Sequence, residues 1–185
     1  MKRLATARLV IRNWEDRDRD LFHRINSDAR VMRFFPFRRT RAEADALLDR
    51  IRDDNAARGY GFAALELKEG ATCVGFAGLH PDTIVPARPL GVVEIGWRLA
   101  PEFWGNGYAT EAGGELLRFG FEELDLAEIV SFAVRQNEPS IAVMRRLGMR
   151  HEPAGDFDHP KVPDTHPHLK RHVFYTLSRT DWRGQ

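Results

Sequence analysis

The chain has 185 residues, 43% of them hydrophobic and 30% charged, with a formal net charge of +1 at neutral pH; this is the composition of one soluble globular domain with one sizeable core. Near-neutrality argues against a partner held by charge alone, so no nucleic acid is expected, and no membrane either, because no apolar run approaches the roughly 20 residues that span a bilayer. The basic start from Met1 to Arg8 lacks the apolar stretch of a signal peptide, and the single cysteine, Cys73, permits no intrachain disulfide; both point to a reducing, cytoplasmic setting.

Thr6 to Arg12 reads as a short strand. Asn13 or Trp14 leads into a charged helix with Leu21, Phe22 and Ile25 on one face. The arginines between Arg3 and Arg58 alternate with Asp and Glu, as on solvated helix faces. Phe34-Phe35-Pro36-Phe37 either walls an acceptor pocket or packs the first helices. Thr40 with Glu43 forms a capping box for a helix running to about Arg58, which Gly59 closes. Tyr60–Leu67 and Cys73–Leu79 pair as a hairpin about Glu69-Gly70, with Cys73 in an apolar, core-like context.

A proline-rich loop from Pro81 to Pro89 precedes Val92–Leu99, the strongest strand signal in the chain. A Gly-rich turn and a helix over Gly107–Leu124 follow, with Ala109, Ala112, Leu116 and Gly120 on one face and Gly113 beside them. Ile129–Val134 is the next strand. Asn137 opens a helix that Gly148 closes. Met149–Glu152 and Val173–Leu177 are the last strands. The histidines at 151, 159, 166, 168 and 172 match no compact ligand spacing, so no metal is expected; Asp156–Pro160 is placed at the border of the acceptor site. Strand Val92–Leu99, helix and strand Ile129–Val134 form a right-handed crossover between parallel strands. With the earlier hairpins, the fold class is α/β with a mixed, α+β-like sheet, in a single domain over residues 1–185.

The segment Glu102-Phe103-Trp104-Gly105-Asn106-Gly107-Tyr108-Ala109 sits between a strand end and a helix start. Unpaired backbone N–H groups converge there, the helix dipole favours anions, and glycine lets the backbone approach a ligand closely. Gly-Lys-Ser/Thr is absent, as is the three-glycine dinucleotide spacing, so neither a nucleoside triphosphate loop nor a dinucleotide loop is indicated.

Val93-Glu94-Ile95-Gly96-Trp97-Arg98-Leu99, Trp104-Gly105-Asn106-Gly107-Tyr108-Ala109-Thr110-Glu111-Ala112, Asn137-Glu138-Pro139-Ser140 and Leu147-Gly148-Met149 together resemble the GNAT N-acetyltransferases. Among them, the resemblance is to the subgroup of ribosomal-protein N-terminal alanine and serine acetyltransferases. It covers essentially the whole chain and is most specific from Val92 to Met149. It implies a twisted mixed sheet flanked by helices, with a splayed parallel strand pair, and acetyl-CoA as co-substrate. The pyrophosphate is then expected on Trp104, Gly105, Asn106, Gly107, Tyr108, Ala109 and Thr110. The pantetheine arm is expected along Trp97, Arg98 and Leu99, and further contacts from Asn137 and Ser140.

Two positions depart from the family pattern. Glu102 stands where the loop has Gln or Arg, and Met144 stands where many members carry a Tyr acid. Glu94, on the strand entering the loop and on one face with Gly96 and Arg98, is the candidate base, with a surface carboxylate or one paired with Arg98 as the alternatives. The subgroup resemblance gives Ser140 a hydrogen bond to the leaving thiolate, with simple helix capping as the alternative. The expected reaction is direct acetyl transfer to a primary amine in a ternary complex. A non-catalytic acyl-CoA-binding module is the other possibility. Peptide N-termini, polyamines, amino acids and antibiotics all remain open as acceptors, and monomer or homodimer as the assembly.

Overall fold

The computed structural model describes residues 1–86, 88 and 91–182. Strands β1 (Leu4–Ala5) and β2 (Leu9–Arg12) open the chain, so the expected first strand is broken at Thr6. There Thr6 Oγ1 accepts from Leu9 N at 2.9 Å and turns the chain. Helix α1 (Arg19–Ser27) follows one 3-10 turn, and another 3-10 turn, Val31–Phe34, takes up the aromatic segment. Helix α2 (Arg41–Arg58) has the capping box from Thr40 and Glu43, and Gly59 ends it at φ +86°.

Strands β3 (Phe62–Leu67), β4 (Cys73–Asp82) and β5 (Val92–Leu99) form an antiparallel meander. Of the expected loop, Pro81 and Asp82 extend β4, and residues 87 and 89 lie outside the described residues. Helix α3 (Tyr108–Arg118) is shorter than expected because residues Phe119–Glu123 continue it as a π-turn. Strand β6 (Glu128–Val134), helix α4 (Glu138–Arg146), the short strands β7 (Arg150–His151) and β8 (Phe157–Asp158), and β9 (Arg171–Ser178) complete the order.

Among the described residues the strands form one nine-stranded sheet in the order β1-β2-β3-β4-β5-β6-β9-β7, with β8 on β9. Its parallel pair is β5–β6, the crossover expected from the sequence. Alternation along the strands divides the core between the two faces. Ala63, Leu65, Ala77, Ile95 and Leu99 pack with Ala112, Leu116 and Leu117 of α3 and Met144 of α4. Ala64 and Phe76 face the other way and pack with Phe22 and Ile25 of α1 and Ala44 and Leu48 of α2. A Cβ on Gly113 would come within 2.7 Å of Leu147, so that glycine sets how closely α3 meets the end of α4.

Not every early arginine is on a solvated face. Arg12, Asp18 and Glu66 are buried together, with Arg12 donating to both carboxylates at 2.7–2.9 Å. Alternating charge in the sequence does not distinguish a solvated stripe from a buried network that closes between distant elements.

Candidate active site

Strands β5 and β6 pair only at Val93↔Ile129 and Glu94↔Val130. One residue on, the buried hydroxyl of Ser131 donates to Ile95 O at 2.9 Å and replaces the next ladder bond. Beyond it the strands separate. Ile95 O and, from Trp104 Nε1 at 2.9 Å, Leu99 O receive their bonds from outside the β4 ladder. By alternation the N–H and C=O of Trp97 point into the same opening, where β6 does not pair with them.

A cleft of about 1530 Å³ passes through this opening. Glu94, Trp97, Arg98, Leu99, Trp104, Gly105, Gly107, Tyr108, Ala109, Thr110, Asn137 and Ser140 all line it, so the residues singled out in the sequence converge on one cavity. Asn106 is the exception. Its side-chain Nδ2 donates to Phe103 O and Trp104 O at 3.2 Å, which spends it on the turn.

The loop ends in Gly107, the N-cap of α3, at φ +80°, and Gly105 lies at φ +78°. The left-handed region is open to glycine at little cost, and both turns depend on it. Trp104 N is bonded to Pro101 O, and the next loop N–H with a partner among the described residues is that of Glu111, on Gly107 O. The N–H groups from Gly105 to Thr110 therefore stand free at a helix N-terminus, as an anion cradle requires. Arg8 braces this loop. Its Nη2 donates to Asn106 O at 3.0 Å, its Nε bonds Glu111 at 2.6 Å, and its guanidinium lies 4.7 Å from the Tyr108 ring centroid. Glu102 faces elsewhere: it pairs with Arg24 of α1 at 2.5 Å and does not line the cleft. Sequence order gave no sign that Arg8 returns to this loop.

Glu94 does not pair with Arg98. Burial pushes its carboxyl up to about 8, aided by the charge of Asp82 and by a hydrogen bond that protonated Glu94 donates to the Asp82 carboxylate; Lys161 opposes the shift. His80, directly across on β4, stacks on Phe62 at 5.4 Å and is held below the usual histidine range by burial and by Arg58, so it is neutral at neutral pH. Arg98 turns to the α1–α2 face, where burial and the charge of Arg39 pull it down to about 10.

Asn137 caps α4, its Oδ1 accepting from Ser140 N at 3.3 Å, while the Ser140 hydroxyl has no hydrogen-bond partner among the described residues. Met144 is fully buried in the core under α4. Phe34, Phe35 and Phe37 line the cleft; Phe35 and Phe37 are exposed, while Phe34 also packs against Val134, Val162 and Leu169. His159 and Lys161 border the cleft, whereas Phe157 is buried beside Phe174. Cys73 does not line it, and burial pushes its thiol up to about 12. Among the described residues, no three His, Cys, Asp or Glu side chains gather as a metal site, and no helix is long and apolar enough to cross a membrane.

The family model for the acetyltransferase (GNAT) domain matches residues 8–150. The chain belongs to the GNAT acetyltransferases. Members of this family move acetyl groups from acetyl-CoA to amines. The uncharacterized N-acetyltransferase YnaD of Bacillus subtilis is 32% identical over 80% of this chain and 83% of its own. A GNAT-family acetyltransferase from Bacillus anthracis superposes with a TM-score of 0.79 at 27% identity, covering 97% of this chain and 99% of that one. The fold is also shared, at a TM-score of 0.71 and 19% identity over 94% of this chain and 96% of that one, by the Vibrio cholerae spermidine N-acetyltransferase, solved in complex with CoA and spermine.

Proposed function

We propose that this GNAT acetyltransferase acts by direct attack of a primary amine on acetyl-CoA, both bound at once in the cleft between β5 and β6. The observation that carries the reading is the cleft itself. It joins free N–H groups at the α3 terminus to a carboxyl of raised proton affinity on β5.

In this reading the N–H groups from Gly105 to Thr110 take the pyrophosphate, and the edge of β5 at Trp97 takes the pantetheine arm as a further strand would. The amine nitrogen forms its bond to the thioester carbon and gives a proton to Glu94, directly or through one water. A free N–H beside the opening, that of Trp97, meets the tetrahedral oxyanion. As the C–S bond breaks, its electron pair leaves on sulfur, and the Ser140 hydroxyl hydrogen-bonds the thiolate until a proton from solvent neutralises it, while Glu94 returns its own proton to solvent. The buried Met144 offers no acid, so this scheme gives Ser140 the task.

The test is acetyl-CoA turnover over a broad amine panel with wild type, Glu94→Gln and Ser140→Ala. Ser140→Ala is expected to lower kcat with little change in the Kd for acetyl-CoA. Equal rates for mutant and wild type would remove Ser140 from the chemistry. Tight acetyl-CoA binding with no turnover of any amine would favour a non-catalytic acyl-CoA-binding module instead.

A further inference from the structure

The acceptor side of the cleft holds two cations that acetyl transfer does not require. Arg98 follows Glu94 by two strand repeats on the same face of β5. Its guanidinium lies 4.2 Å from the Phe35 ring centroid and 5.3 Å from that of Phe76. Its Nη1 donates to Asn26 Oδ1 at 2.6 Å, and the buried Asn26 is itself fixed by donating to Phe22 O at 2.7 Å. The guanidinium is thus aimed rather than loose, yet among the described residues no carboxylate pairs with it. Arg39 lines the same cleft. Its Nε is buried without a hydrogen-bond partner, and its guanidinium lies 4.9 Å from the Phe37 ring centroid.

Other arginines facing the protein interior or its helix surfaces do find carboxylates. Arg12, Arg17, Arg19, Arg52 and Arg118 each meet a carboxylate within 3.0 Å. Arg98 has no carboxylate partner among the described residues, and Arg39 feels Glu43 without forming an ion pair and keeps an unmet donor; two such neighbouring guanidiniums are unfavourable until an anion enters between them.

Spacing completes the picture. Gly96 separates Glu94 from Arg98, and the Glu94 carboxyl leans over it, 3.4 Å from where a Cβ would stand. From there to the strand position of Arg98 is one two-residue repeat, roughly 7 Å. That gap suits an amine and an anion a few bonds apart. A polyamine would instead set its distal cations against Arg98 and Arg39.

We infer that the acceptor is an amine carrying a carboxylate a few bonds from its nitrogen, an amino acid or a close relative, with Arg98 and Arg39 gripping the carboxylate while the nitrogen faces Glu94. The inference rests on the acetyl-transfer reading and adds the substrate class to it.

The experiment compares matched acceptors: the common amino acids and β-alanine, the carboxamide of each, and spermidine. At least one amino acid is expected to exceed its own carboxamide roughly 10- to 100-fold in kcat/KM, the worth of a charged hydrogen-bonded pair. Arg98→Gln should erase that preference, Arg98→Lys should keep part of it, and Arg39→Gln, a change nearer the surface, should weaken it without threatening the fold. Equal values for acids and amides, or a preference for spermidine, would overturn the inference and leave acetyl transfer standing. A matching loss of acetyl-CoA affinity in Arg98→Gln would also overturn it, since the guanidinium would then serve the cofactor. Calorimetry with the N-acetylated amino acids needs no turnover. Binding that Arg98→Gln abolishes, with no amine acetylated, would uphold the anion site and sink the acetyl-transfer reading.

Discussion

Glu94 joins two requirements that pull against each other. A base must accept a proton near the working pH, and a buried carboxylate is costly to ionise. Burial and the neighbouring Asp82 place its proton affinity near pH 8, so at neutral pH most molecules carry the proton there. The rate of acetyl transfer is therefore expected to rise with pH through about 8. Asp82→Asn removes the nearby charge and should move that limb to lower pH, which a pH–rate profile would read. A limb that stays in place would show that Asp82 does not tune the base. Stability follows with its own sign. Because the folded-state affinity lies above the ordinary carboxyl value of 4.5, the folded chain holds a proton that the unfolded chain has lost between those two pH values. Glu94 thus costs stability progressively as pH rises from about 4.5 to about 8. Glu94→Gln should lose turnover while raising Tm at pH 8, with the gain shrinking toward pH 5. An equal Tm difference at both ends would mean that the half-buried carboxyl is not shielded from water in the way that raises its proton affinity.

Among elements, the turn and helix α3 carry the cofactor assignment, and a test belongs at Gly107. A β-branched residue at φ +80° is strained by about 1–3 kcal/mol, and its side chain would point among free N–H groups. Gly107→Val is expected to weaken acetyl-CoA binding roughly tenfold or more. Unchanged affinity by calorimetry on the folded variant would end the assignment. This element was legible in sequence because its physics is local: glycine spacing, a strand before it and a helix after it. So were the Thr40 cap, the Gly59 stop and the Asn137 cap. What sequence did not reveal depends on distant partners. Arg8 reaches the loop only because β2 lies across the sheet from it, and Ser131 gains meaning only where β5 and β6 part. The buried Arg12–Asp18–Glu66 network belongs to the same class. Arg12→Ala would leave the buried Asp18 without its cation and Glu66 with Arg17 alone, and should cost about 3–5 kcal/mol in urea unfolding. A loss of only about 1 kcal/mol, typical of exposed pairs, would return these charges to the surface reading.

At the scale of the whole molecule, the proposed reaction makes the sheet a partition between its two reactants. Helices α3 and α4 cover the face that carries the anion cradle, and α1, α2 and the Phe34–Phe37 wall cover the face that carries Glu94 and Arg98. The faces communicate where β5 and β6 separate, and in the proposed reaction cofactor and acceptor meet there from opposite sides without either leaving. A covalent acetyl-enzyme would need an activated nucleophile in that opening. Cys73 lies outside the cleft with its thiol pushed up to about 12, and Ser140 has no base bonded to it among the described residues. The geometry therefore favours a ternary complex. Initial-rate plots at varied acetyl-CoA and amine should intersect. Parallel lines, or an acetylated protein found by mass spectrometry after incubation with acetyl-CoA alone, would show instead that the acetyl group rests on the enzyme between the two faces.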